Sequence, residues 1–241
     1  MTVNPTFTIT ISAGVPYYRV TSKGHWTKAA AGHKKVVDGQ GALKNSAGAR
    51  YNFPGAVTVY LAETIETCLA EKMFYFHREV LRSLDTVHRG VPVPAFAQQF
   101  ALWEVIFKKD IPAVCDLTIA RAPAYFGVFS ALMTNPSQDY DHLKQRRADI
   151  QALGYSGIRA PSSRSTLGGN MVVLFSDQSK NVQSITPFAL ECRLMTPPPG
   201  SVPFVSHATD MLDYSSGEAR ILGAPSSMVT YSSFTAVAFN H

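Results

Sequence analysis

Cysteine is scarce. Cys68, Cys115 and Cys192 are the only three in 241 residues; they are far apart and form no CxxC pair, which speaks against a disulfide framework. The histidines show no spacing that would group them with cysteine or acidic ligands, so no metal site is expected. No apolar run reaches membrane-spanning length without a charge or a proline. Residues 1–10 carry no basic cluster followed by an apolar core. The expectation is a cytoplasmic protein of a reducing compartment with no membrane partner.

Charge is also thin. Charged residues make up 16% of the chain and the formal net charge is +5, a balance that suits an anionic ligand without choosing among a dinucleotide, a nucleic acid and an acidic protein. The basic residues fall in short groups, His33 to Lys35, Lys108 to Lys109 and Lys144 to Arg147. They lack the long tract or interleaved aromatic platform that nucleic-acid binding uses, so no direct nucleic-acid contact is expected. Common catalytic signatures are missing as well: there is no GxSxG elbow, no HExxH, no phosphate-binding P-loop and no GxGxxG after the first strand.

Apolar material is plentiful at 46%, enough for a core, and a single domain is expected. Thr6 to Ser12 alternates threonine with Phe7, Ile9 and Ile11, the period of a half-buried strand. Val15 to Val20 reads as a second extended piece, and Thr21 to Ala49 as a long loop. The apolar run Val57 to Ala62 reads as a strand feeding a helix over Glu63 to Leu84. On that helix Ile65, Leu69, Met73, Phe76 and Val80 form one stripe, with Glu71 nearly opposite, beside Phe74, Tyr75 and Arg78. That second face reads either as the lining of a cleft or as a solvated surface with a Glu71–Arg78 pair.

The proline-rich middle, Gly90 to Ser137, reads as short strands and turns, one of them near Ala113 to Ile119. Asp139 to Leu153 reads as a helix with Leu143, Ile150 and Leu153 packed and Gly154 as its C-terminal cap. Tyr155 to Ala160 and Met171 to Phe175 read as strands joined by a polar turn over Pro161 to Asn170. Beyond Asp177 the chain shows prolines, serines and short apolar runs, with a final strand near Met228 to Phe239.

Several polar positions remain: Tyr17, Tyr18 and Arg19 on an early strand; Arg50, Tyr51 and Asn52 before Pro54 and Gly55; Tyr60; Glu71; and Pro161, Ser162, Ser163 and Arg164. In order and approximate spacing they resemble a RES domain, a family named for an arginine, a glutamate and a serine. The resemblance covers about Tyr17 to Asp177 and is most specific from Arg50 to Glu71. Ala49 and Tyr51 stand where the family pattern has glycine and tryptophan, and the loop after Arg19 is long.

The resemblance implies an α+β fold like that of ADP-ribosyltransferase toxins, a split mixed sheet with flanking helices around an NAD cleft. It implies a RES-like NAD-cleaving domain over residues 1–177, with residues 178–241 as a C-terminal extension packed on it. Capping of the cleft, homodimer formation and reception of an Xre-type antitoxin all stay open for that extension. The implied activity is cleavage of the nicotinamide glycosidic bond of NAD, by phosphorolysis or hydrolysis. Transfer of ADP-ribose to a protein is the alternative enzyme, and a non-catalytic nucleotide- or partner-binding domain is the alternative class. NAD enters as substrate and phosphate as a co-substrate, with no further cofactor.

Glu71, Arg50 and Ser162 are then the candidate catalytic residues. Arg19, Arg50, Tyr60 and Ser162 are the candidates for holding NAD. The residue types suit that chemistry, because nicotinamide leaves NAD as a neutral base and needs no general acid. Positive charge develops on the ribose, where a fixed carboxylate stabilises it, and arginines hold the diphosphate. A core role for Tyr60, turn capping by Ser162, and Ser163 in place of Ser162 are the competing assignments.

Overall fold

In a computed structural model, which describes residues 3–22, 35–40, 49–72, 96–130, 133, 140–163, 169–194, 216–222 and 234–235, the threonine–isoleucine alternation forms β1 (Thr8–Ile11) and the tyrosine-rich segment forms β2 (Pro16–Ser22). The apolar run before Glu63 forms β3 (Val59–Ala62). It is followed by helix α1, described over 65–72. The expected continuation of α1 to Leu84, with Met73, Phe74, Tyr75, Phe76, Arg78 and Val80, lies outside the described residues, as do Arg164 and Gly168.

The middle of the chain departs from expectation. Instead of only short strands it contains β4 (Phe96–Phe107), which runs for 12 residues. The stretch between Pro94 and Pro112 holds neither proline nor glycine, so nothing interrupts the ladder. Phe100, Ala101, Leu102 and Trp103 are all buried, which marks a strand covered on both faces and explains why no clean alternation was visible. β5 (Ile111–Asp116), a short helix α2 (Ala122–Tyr125), helix α3 (Asp141–Ala152), β6 (Gly157–Pro161) and β7 (Asn170–Leu174) follow. Gly154 sits just past α3 at φ +96°, a conformation suited to glycine.

The region beyond Asp177 also differs from expectation. It supplies β8 (Val182–Leu194), 13 residues long, and β9 (Ser216–Leu222) before β10 (Phe234–Thr235). β8 pairs with β4 along nearly its whole length, Phe96↔Leu194 to Phe107↔Val182. Pro187 is tolerated in it because β9 covers only Ala189 to Leu194, so that among the described residues β8 has no second partner strand at the proline.

The described strands form one sheet in the order β1-β5-β6-β7-β3-β2-β4-β8-β9-β10. It is mixed: β5 and β6 are parallel and the other pairs antiparallel. Its join is uneven. β3 matches β7 over four register pairs, Val59↔Leu174 to Ala62↔Met171, whereas β2 meets β3 through the single pair Tyr18↔Ala62. The sheet therefore has a seam between two halves, and α1 begins beside it. The architecture is α+β, a split mixed sheet with few helices.

Alternation along β3 separates two cores. Val59 and Leu61 join Val36, Val37, Trp103, Val105, Val172 and Leu174 on one face. Tyr60 packs on the other, against Tyr51, Leu143, Ile150, Ile158, Val173 and Phe175. Leu143 and Ile150 of α3 are buried as expected, and Leu153 packs against their cluster. Among the described residues no helix is long and apolar enough to cross a membrane.

Candidate active site

The sequence Arg50–Tyr51 is the tip of a tight turn. Ala49 and Asn52 exchange both backbone hydrogen bonds, at 3.0 and 3.2 Å. Asn52 is fully buried, and its Oδ1 accepts from the Tyr60 hydroxyl at 2.7 Å. The same hydroxyl accepts from the Tyr51 amide at 3.0 Å. Tyr60 thus reaches from β3 to tie the turn to the sheet.

The tied turn aims Arg50 inward. The residue is only 7% exposed. Its Nη2 donates to the Ser163 hydroxyl, its Nη1 stands 3.9 Å from Glu71 Oε1, and its guanidinium lies 5.6 Å from the centre of the Tyr140 ring. Tyr51 is buried too, and burial pushes its phenol up to about 12.

Glu71 is presented by α1. Thr64 caps the first turn, its hydroxyl accepting from the Thr67 amide at 3.2 Å. Thr67, Cys68, Leu69 and Ala70 are buried, so the helix is sunk on more than the single stripe expected. Glu71, one turn after Thr67, is 15% exposed at its side chain. It therefore belongs to an enclosed face rather than a solvated one. The Ser162 hydroxyl donates to Glu71 Oε1 at 2.6 Å.

The serine segment is pressed onto α1. Ser162 N donates to the Gly169 carbonyl at 2.8 Å. A Cβ on Gly169 would come within 1.6 Å of Thr67 Oγ1, so only glycine allows this approach. Thr67 and Glu71, at i and i+4 on α1, face the same stretch of chain. Both adjacent serines are engaged, Ser162 with the carboxylate and Ser163 with the guanidinium.

Arg19 is placed differently. It pairs in register with Trp103, which puts it on the sheet face of Leu61 and Val36, opposite that of Tyr60. Its Nη1 donates to the Val36 carbonyl. Burial lowers its pKa, and Asp38 opposes that shift. Among the described contacts it does not join the Arg50–Glu71–Ser162 set.

A supporting network went unseen in the sequence. Arg159 of β6 donates to both oxygens of Glu63, at 2.6 and 3.0 Å, and to Asp116 at 3.1 Å and Thr118 at 2.9 Å. Asn170 Nδ2 adds a contact to Glu63 at 2.9 Å. The hydrogen bonds to Glu63 raise the Arg159 pKa further. These residues join the end of β3 to β5, β6 and β7 just before the chain delivers Glu71 and Ser162. Glu63, Asp116 and Asn170 stand at strand ends, around Arg159 in the middle of β6, and strand ends are the least legible feature of a sequence.

Among the described residues the arrangement provides a shielded carboxylate with a hydroxyl donor and a guanidinium beside it, at an end of the split sheet. Such a site can stabilise a cationic centre and hold an anion next to it.

No curated protein matches the chain. Among solved structures, a chain of the crystal structure of the M. tuberculosis MbcT–MbcA toxin–antitoxin complex superposes with a TM-score of 0.51 at 18% identity. The match covers 75% of this chain and 86% of that one, a likeness of fold. The family model described as RES domain matches residues 16–194, the span from β2 to the end of β8 that carries the sheet seam, Arg50, Glu71 and Ser162. This chain belongs to the RES domain family.

Proposed function

We propose that the protein cleaves the bond between nicotinamide and ribose in NAD, passing ADP-ribose to phosphate or water, and that it acts as a cytoplasmic toxin held in check by an Xre-type antitoxin. The observation that carries this reading is the Glu71 carboxylate, 15% exposed, with Ser162 at 2.6 Å and Arg50 at 3.9 Å. As the C1′–N bond breaks, its electron pair leaves with nicotinamide, which departs neutral. The ribose ring becomes an oxocarbenium ion, and the negative charge of Glu71 lowers the energy of that state more than that of the substrate. An oxygen of water or phosphate then closes on C1′, and a proton passes to solvent where water is the acceptor.

Ser162 fixes one carboxylate oxygen and so sets the direction of the charge. Arg50 serves the substrate's diphosphate and moderates the field of Glu71. Tyr60 acts by holding the Arg50 turn. Arg19 contributes a buried positive charge from β2. The MbcT–MbcA complex is a toxin–antitoxin pair, which supports the expectation of an antitoxin partner here.

Incubating purified protein with NAD, with and without phosphate, and weighing the products by mass spectrometry tests the reading. Nicotinamide with ADP-ribose, or with phosphorylated ADP-ribose when phosphate is present, is the expected result. Absence of nicotinamide release by folded protein would overturn it.

A further inference from the structure

Leu143, Arg147 and Ile150 make the buried face of α3, with exposures of 0%, 7% and 1%. An arginine between two core aliphatics at helical spacing is unusual, because a buried guanidinium needs acceptors for its donors. Arg147 Nε is buried without an acceptor among the described residues. The contact found for its guanidinium is the Phe175 ring, 4.5 Å below it. A ring face attracts the charge but accepts no set of in-plane hydrogen bonds.

The position adjoins the candidate active site. Burial lowers the Arg147 pKa and Tyr60 opposes that shift, so the guanidinium lies within the electrostatic reach of the tyrosine that ties the Arg50 turn. The same helix begins beside Arg50, whose guanidinium faces the ring of Tyr140, the residue preceding α3. One turn on, the Lys144 ammonium lies 6.0 Å from the Phe53 ring and pairs with the exposed Asp141 at 2.9 Å. Tyr140, Lys144 and Arg147 follow one side of α3. Arg50, Lys144 and Arg147 thus bring three positive charges to the wall around Tyr51, Phe53 and Tyr60.

We infer that Arg147 is an anion-binding residue of this wall, taking a phosphate-type oxyanion at the guanidinium, whose buried Nε has no acceptor among the described residues. A planar fork fits two phosphate oxygens at once, and a low-dielectric setting strengthens the contact. Which oxyanion arrives in use rests on the NAD reading above: the diphosphate of NAD or free phosphate.

Calorimetric titration of the full chain with inorganic pyrophosphate and with inorganic phosphate tests the residue independently of turnover. Wild-type protein should bind at least one of them. Arg147→Gln should weaken that binding about tenfold or more, and Arg147→Lys, which keeps the charge but loses the fork, should fall between. Steady-state kinetics then assign the source. A raised KM for NAD at little-changed kcat points to the diphosphate; a raised KM for phosphate alone points to the acceptor.

Arg147-dependent binding in a protein that never releases nicotinamide would leave this inference standing and remove the NAD reading. No binding of either anion by wild-type protein, or unchanged affinity in folded Arg147→Gln, overturns the inference whatever the turnover. Should both variants fail to fold, wild-type crystals soaked in pyrophosphate decide: density within hydrogen-bond distance of the Arg147 guanidinium supports the assignment, and its absence at a concentration that saturates the calorimetric signal refutes it.

Discussion

In the proposed reaction Glu71, Ser162 and Arg50 divide the work by charge. The Ser162 hydroxyl donates to Glu71 at 2.6 Å, so Ser162→Ala leaves the carboxylate charged but less firmly directed. Turnover on NAD should fall about 10- to 100-fold with a smaller change in KM, the scale of one hydrogen bond to a charged group. On the proposed reading Arg50→Ala removes a contact to the diphosphate made in both substrate and transition state, so the Michaelis constant should rise at least as clearly as kcat falls. A KM unchanged by that variant would take Arg50 out of substrate binding. The thiols belong to another category. Burial pushes the Cys115 thiol up to about 12 and that of Cys68 up as well, so alkylating reagents at neutral pH should leave both unmodified until the protein unfolds. Because the unfolded chain releases the Cys115 and Tyr51 protons from the ordinary values of 9.0 and 10.0 while the folded chain holds them to about 12, their stabilising contribution is complete below pH 9 and is lost between pH 9 and 12. Denaturant melts across that range should show stability falling as pH rises; a flat profile would contradict the burial described.

The site depends on elements meeting closely. α1 and the chain before β7 touch at Thr67 and Gly169, where an added Cβ would lie 1.6 Å from Thr67 Oγ1. Gly169→Ala should lower both stability and activity, and Thr67→Ala should restore part of each in the double variant. Independent, additive losses would show that the two residues are not in contact. Arg159→Met breaks the ties among β3, β5, β6 and β7, leaves Asp116 without its cation, and should cost about 1–3 kcal/mol in a denaturation experiment. Much of this was legible in the residues. The strand Val57 to Ala62 leading into a glutamate helix, the α3 stripe of Leu143 and Ile150, and the Gly154 cap all follow from local periodicity and turn chemistry. β4 and β8 were not: β4 is buried on both faces at Phe100 to Trp103 and so loses the alternation that identifies a strand, and Pro187 reads as a break in β8 unless its partner's end is known. Arg147 hid in the short basic group Lys144 to Arg147, although its i−4 and i+3 neighbours, Leu143 and Ile150, are core residues.

At the scale of the molecule, the sheet seam and the long β4–β8 pair define what must stay together. β2 meets β3 at one pair, Tyr18↔Ala62, while β4 and β8 match from Phe96↔Leu194 to Phe107↔Val182. A chain ending at Asp177 would uncover β4 along that length and should fail to fold, as circular dichroism and sedimentation would report; a folded, active 1–177 fragment would show that the core needs no β8. The halves joined at the seam bring a turn before β3, a helix after it and a segment after β6 to one place, and the charge of Glu71 is what the assembly holds there. The most direct measurement is therefore single-turnover nicotinamide release by Glu71→Gln, which keeps the side chain's shape and removes its charge. With folding and NAD affinity close to wild type, the rate should drop at least about a hundredfold, roughly 3 kcal/mol of lost transition-state stabilisation. A folded Glu71→Gln protein releasing nicotinamide at near wild-type rate would contradict the account.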